Sequence, residues 1–295
     1  MKVSSVLFLI ACMLGISAED AVLSQEVFAV DRQMAVEKHT ENLKKQLARF
    51  HSKNAFADYL ELLDELADPR YLVLPGKEFA RHPGDPQRIT VYLRHDIDVD
   101  PFTAVRMAKE EKKRNLRGSY YILPTARYYG TVRRGKLYHY SCMDPLYKEL
   151  ASYGHEIGVH NDLLTIMFYY NADPLAFQQQ ELAHYRSIGL NITGCVSHGS
   201  PLNRLKLNNT LMFSEFRRKG SYEYKGKTFY YGRHALKDYG FDYEGYRLKA
   251  NVRLSDIAKY PGSEIRKKLR ACKKGDRVSL LVHPIHWKDE TKSGK

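Results

Sequence analysis

Leu93–Pro101 reads LRHDIDVDP and sets His95, Asp96, Asp98 and Asp100 within one short stretch. Imidazole nitrogen and carboxylate oxygen together suit a divalent ion, zinc above all. The same residue types return at His160-Asn161-Asp162, at Ser197-His198-Gly199-Ser200 and at His283-Pro284-Ile285-His286-Trp287. Two or three histidines with an aspartate could hold a metal with an open position. The metal would acidify a bound water and polarise a carbonyl. A second carboxylate could then act as base, and a histidine outside the ligand set as acid toward a leaving amine. In outline this is metal-assisted hydrolysis of an amide.

Each of these groups follows an apolar run. Ile89–Leu93 (ITVYL), His155–Val159 (HEIGV), Ile192–Val196 (ITGCV) and Arg277–Val282 (RVSLLV) read as buried strands, with further strands at Gly118–Leu123 and Ala250–Asp256. Between them Pro101–Arg114, Asp144–Tyr153, Asp173–Ile188 and Pro261–Cys272 read as helices. Asp144-Pro145 is a start signal, and Gly154 and Gly189 are stops. Alternation of strand and helix predicts a parallel sheet or barrel, an α/β fold. In such folds the site lies at the carboxyl ends of the strands, where these histidines and aspartates fall. Asp100, before Pro101, reads as a helix N-cap, His155 as a buried hydrogen-bonded residue, and His95 as orienting the first motif ahead of a role as third ligand. Ser200 lacks the G-x-S-x-G elbow of a serine hydrolase. Asp256 ends a strand and could tune the acid or base. Residues 202–249 are Tyr-rich and irregular, and Tyr230, Tyr231, Arg233 and His234 there could line a substrate groove.

The chain has 295 residues, 43% of them apolar, enough for one large domain. Glu26–Leu66 reads as helical, and Leu66–Gln87, with its four prolines, as a connector. The expected organisation is a signal peptide over 1–18, a helical segment and connector over 19–88, a barrel domain over 89–288 and a polar tail over 289–295. Lys2, the apolar run Val3–Gly15 and the small residues up to Ala18 form an export signal. That run is too short to span a bilayer comfortably, so the mature chain is expected to carry no transmembrane helix. A competing reading makes LIAC (Leu9–Cys12) a lipoprotein box with Cys12 lipidated. Cys142, Cys195 and Cys272 remain after cleavage and have no zinc-finger spacing. Asn191 and Asn208 begin glycosylation sequons, relevant in a eukaryotic source. The formal charge of +13 suits an anionic envelope polymer or acidic glycan. No zinc finger, RNP-type motif or dense basic arm points to nucleic acid.

RHDID before a helix, SYGHEIGVHND, GCVSHGSP and LLVHPIHW resemble the polysaccharide deacetylase superfamily, of the carbohydrate esterase family 4 type. The likeness runs from about Ile89 to Trp287. It implies a distorted parallel (β/α) barrel and a metal, zinc as the expected ion, that serves removal of acetyl groups from N-acetylated sugars. The family's first motif sets a base and a metal ligand side by side; here Ile97 separates Asp96, assigned as base, from Asp98, assigned as ligand. Its second motif supplies two histidines four residues apart. His160 matches the first, and the second falls on Leu164. His198, on a neighbouring strand end, is assigned as the replacement ligand, with Asp162 a weaker substitute. The family's third motif offers Arg and Pro where this chain has SHGSP. The late histidine, the general acid, matches His283. His286, Trp287 and Tyr231 are assigned to substrate binding. The implied protein is an exported hydrolase, periplasmic or secreted, acting on N-acetylated polysaccharide or cell-envelope glycan. Two alternatives stand beside it: a glycan-binding protein on a degenerate deacetylase fold, and an amidohydrolase for a small C–N compound.

Overall fold

The first element to explain is the strand that carries the acidic motif. In the computed structural model it runs from Ile89 to Ile97 as β2 and is buried along its whole length. Strand residues alternate between faces. Ile89, Val91 and Leu93 therefore enter one apolar cluster, while Tyr92 enters another. The structure describes residues 37–50, 52, 54–133, 136–216, 219–256 and 261–288. Two compact units divide at Arg49 and Phe50. In the first, residues 37–47 are helical. The rest of this section concerns the second.

That unit comprises, in chain order, α1 (Phe56–Leu66), β1 (Tyr71–Leu74), α2 (Gly76–Arg81), β2, α3 (Pro101–Lys113), β3 (Ser119–Ile122), β4 (Gly130–Arg133) and β5 (Lys136–His139). Then come α4 (Asp144–Ser152), β6 (Glu156–Asn161), α5 (Leu163–Phe168), α6 (Pro174–Ser187), β7 (Gly194–Ser197), β8 (Gly220–Tyr224) and β9 (Lys227–Tyr231). β10 (Tyr243–Glu244), β11 (Val252–Ser255), α7 (Gly262–Arg270) and β12 (Arg277–Val282) complete it.

Eight strands form one parallel sheet, seven of them in the path β10-β7-β6-β3-β2-β12-β11, curled into a half-barrel with flanking helices. The order is cyclic in sequence. From β2 the chain winds through β3, β6, β7 and β10, and from β11 through β12 back to β2. The seam between β10 and β11 stays unpaired among the described residues. β2 is long enough to take two partners on one side. β1 pairs with its first half, Tyr71 opposite Ile89 to Leu74 opposite Tyr92, and β3 with its second, Arg94 opposite Ser119 to Ile97 opposite Ile122.

Outside the sheet, Tyr59, Leu62, Leu63 and Leu66 of α1, Met107 of α3 and Ile265 and Leu269 of α7 pack on Val91, Leu93, Val278 and Leu280. Inside the curl, Tyr92, Tyr121 and Val196 meet Leu74 and Phe79. Gly158 on β6 has a packing reason: a Cβ there would lie 2.4 Å from the Tyr121 ring. Asp100 caps α3 as expected, its carboxylate accepting from the Phe102 and Thr103 backbone N–H groups.

Three expectations need correction. The helical reading of Glu26–Leu66 is not one helix, because a turn at 48–50 precedes α1. The boundary between residues 88 and 89 is not a boundary: α1 and β1 belong to the core and to the sheet, and the unit begins at Phe50. The Pro-rich connector holds β1 and α2, with Pro75 as the N-cap residue of α2. Residues 1–18 and 289–295, with Cys12, lie outside the described residues. Cys142, Cys195 and Cys272 are free thiols. No helix among the described residues is long and apolar enough to cross a membrane.

Candidate metal and hydrolytic site

All sheet strands run in one direction, so their carboxyl ends share one rim. β2 brings Asp96 and, just past its end, Asp98; β6 brings His160; β7 is followed by His198; β11 is followed by Asp256 and β12 by His283. Asp98, His160 and His198 each offer a ligand atom, and those atoms lie within 4.8 Å of one another. A second set, Asp256, His283 and His286, meets the same criterion. Either cluster could hold a metal ion.

Hydrogen bonding separates the two. Asp256 is already satisfied: it accepts from the His283 backbone N–H at 2.7 Å, from His283 Nδ1 at 2.6 Å and from Trp287 Nε1 at 2.8 Å. In the first cluster the carboxylate oxygen Asp98 Oδ1 is buried without a hydrogen-bond partner, whereas in the second the atom so placed is His286 Nδ1. His160 Nδ1 lies 3.0 Å from the Val196 carbonyl, which can only accept, so this nitrogen carries the ring proton. In the neutral ring Nε2 then turns a lone pair toward Asp98 Oδ1 at 3.1 Å and Asp96 Oδ2 at 3.4 Å. Asp98 Oδ1 and His160 Nε2 thus face each other as acceptors, and a divalent cation would satisfy both. The residues fit a divalent metal ion of the kind such donors hold.

Asp96 is held from behind. Arg94, two residues earlier and so on the same strand face, grips it with two parallel bonds, Nε to Oδ1 at 2.7 Å and NH2 to Oδ2. Both side chains are almost completely buried. Burial alone would push the Asp96 carboxyl up, but the Arg94 guanidinium outweighs it and holds the carboxyl below its ordinary range. With the facing imidazoles protonated and no cation between them, Asp98 is likewise held low: burial opposes ionisation, and His160, then His283 and His198, overcome it. His283 spends Nδ1 on Asp256, which leaves Nε2 facing Asp98 Oδ2 at 3.8 Å. Burial lowers the basicity of His283, yet Asp256 raises it further, to about 9.

Around these groups sit residues that orient them. Asp162 is not a ligand in this arrangement. It faces His198 Nδ1 at 3.5 Å and accepts from Thr125 and Thr165. Asn209 donates to Asp162 and to the His198 carbonyl, and accepts from the Leu164 backbone N–H. Leu164 itself is fully buried in α5. Nothing in the local sequence marks Asn209. Arg94 does carry a signal, since period-two alternation puts it beside Asp96.

Other assigned residues fall differently. His95 points to the opposite face of β2, where it meets Glu111 and Tyr59 and has no part in the metal cluster. His155 is structural, Nδ1 accepting from the Gly118 N–H and Nε2 donating to the Ala108 carbonyl. His286 borders the site, its ring 5.2 Å from that of His283. Trp287 corrects its assignment to substrate. It is wholly buried against Tyr59 and Gly262, and its indole N–H is committed to Asp256. Tyr231 also moves away: it lines a cavity of about 330 Å³ with Met167, Asp173 and Arg233, a set that includes no member of the cluster. The cavity that does touch the cluster, about 340 Å³, is lined by Ser197, His198, Asn203, Asn208, Tyr246 and Arg247 among others.

No protein-family model, curated protein or solved structure matches this chain.

Proposed function

We propose that the protein is a metal-dependent hydrolase that removes acetyl groups from an N-acetylated glycan. One observation carries the reading: Asp98, His160 and His198 converge on one point of the rim, with Asp96 on one side and an Asp256-backed His283 on the other. Asp98, His160 and His198 would hold the ion, zinc being the expected one. When bound it supplies Lewis acidity and a hydroxide-like water near neutral pH. Asp96, fixed by Arg94, takes the proton from the attacking water as the carbon–oxygen bond forms. His283 gives its Nε2 proton to the amide nitrogen as the carbon–nitrogen bond breaks, leaving acetate and a free amine. Asp256 keeps Nδ1 occupied, so the proton leaves from the nitrogen that faces the site.

The loss of the family's second histidine at Leu164 does not remove a ligand from this arrangement, because His198 enters from β7. An export signal over residues 1–18 and a charge of +13 favour an extracellular or envelope polymer over a small C–N compound. The test is metal content and acetate release from N-acetylated oligosaccharides, for wild type and His160→Ala. One bound divalent ion and acetate release in wild type, both lost in the variant, are the expected result. Activity that survives thorough chelation overturns it. Sugar binding in EDTA with no acetate released from metal-loaded protein would instead establish the glycan-binding alternative.

A further inference from the structure

The cavity beside His198 has a one-sided chemistry. Ser197, His198, Gly199, Asn203, Asn208, Thr210, Tyr246 and Arg247 line it, and no carboxylate does. This is unusual at a rim where Asp96, Asp98 and Asp162 stand close by. Arg247 donates one NH2 hydrogen to Thr210 Oγ1 at 3.3 Å, and Thr210 in turn donates to Asn208 Oδ1. The Glu244 carboxylate accepts from the Arg247 backbone N–H at 3.0 Å, but among the described residues no acid pairs with the Arg247 guanidinium, which lies 5.0 Å from the Phe216 ring centre. Ser197 is about 5% exposed, and its backbone N–H donates to the buried Glu244 carboxylate behind the wall at 2.8 Å.

Tyr246 supplies the one aromatic wall. Its ring is part-exposed and stacks on the Arg94 guanidinium at 4.2 Å, the group that holds Asp96. A ligand in this cavity touches His198 and Tyr246, whose ring lies on the Arg94 guanidinium. An aromatic face with several neutral donors suits a sugar ring. One unpaired guanidinium matches one negative charge, and its planar fork matches a carboxylate.

We infer that this cavity is a subsite for an acidic sugar unit, its carboxylate bound by Arg247, so that the substrate is an acidic N-acetylated saccharide. The inference rests on the deacetylase reading for its place in catalysis, but not for the binding itself. The probes are a hyaluronan hexasaccharide and chitohexaose, which share N-acetylglucosamine and differ in carrying glucuronate. Calorimetric affinity is measured for both on the full chain, metal-loaded and in EDTA, with wild type, Arg247→Ala and Arg247→Lys. Wild type is expected to prefer the hyaluronan probe by about tenfold or more, the lower end for a charge-assisted hydrogen bond. Arg247→Ala erases the preference, while Arg247→Lys keeps part of it. Equal affinity of wild type for the two probes, or an unchanged preference in Arg247→Ala, overturns the inference. Acetate release is followed in the same samples. Its absence from both probes counts against the deacetylase reading alone, since the binding preference is read separately.

Discussion

Arg94 and Asp96 give the sharpest test of how the rim is built. The pair is about 1% exposed on either side, bidentate, and covered by Tyr246. Replacing Arg94 with Met fills much of the same volume but leaves the Asp96 carboxylate buried without its counter-charge. Removing one partner of such a pair costs about 3–5 kcal/mol. In a unit of this size that is roughly a 10 °C fall in the melting midpoint. The double variant Arg94→Met/Asp96→Leu removes both charges, and apolar replacement of a buried pair is often close to neutral. It also takes one carboxylate away from the His160 lone pair. The double variant is therefore expected to recover most of the loss, with a coupling energy of about 2 kcal/mol or more across the cycle. Urea unfolding of wild type, both single variants and the double variant, all in EDTA, measures this. A cost below about 1 kcal/mol for Arg94→Met refutes the reasoning. So does a double variant whose loss equals the sum of the singles.

On the outer face of β2, Glu111 is wholly buried, and its carboxyl is opposed by burial but held down to about 2 by the charge and hydrogen bond of His95. A depressed carboxyl stabilises above its ordinary value near 4.5 and loses that contribution as pH falls toward 2. Wild type should lose about 2 kcal/mol by pH 3 relative to Glu111→Gln/His95→Gln, which lacks both charges; parallel unfolding curves at pH 5 and pH 3 would contradict this. Asp256→Asn should keep its metal, measured by elemental analysis, while acetate release falls at least about tenfold because His283 loses its orienting partner. His283→Ala should also keep the ion and lose about 10²-fold or more in kcat. Trp287→Phe removes a 2.8 Å bond to the Asp256 carboxylate and should cost about 1.5–3 kcal/mol in chemical unfolding, a loss that a purely apolar role would not produce.

Much of the fold was legible because strand and helix alternate with clear start and stop signals. The long strand β12 was found at its own limits, Arg277–Val282. What escaped was hidden by punctuation or by distance. Pro75 reads as a breaker in sequence but opens α2, since proline is as suited to starting a helix as to ending one. Residues 202–249 make their structure from partners far along the chain. β10 pairs with β7, and Asn209 clamps Asp162, Leu164 and His198. No local periodicity encodes contacts of that kind.

LRHDIDVDP shows where a physical rule sharpens the reading of a motif. Taken as a cluster, its four polar residues seem to serve one site. Alternation along β2 divides them: Arg94 and Asp96 face the interior of the curl, while His95 faces the helices. Asp98 lies past the strand end, where the backbone is free to turn its carboxylate toward β6 and β7, and Asp100 is spent on α3. A parallel sheet explains in the same terms how His198 comes to His160. β6 and β7 are neighbours in register, His160 opposite Val196, so a side chain just beyond β7 reaches the space beside the His160 ring. The His160 and His198 rings meet edge to face with 4.9 Å between centres. A ligand position can thus migrate between adjacent strand ends without altering the donor set. For that reason the chemistry of such a rim is better read from which side chains share a point than from their spacing along one segment.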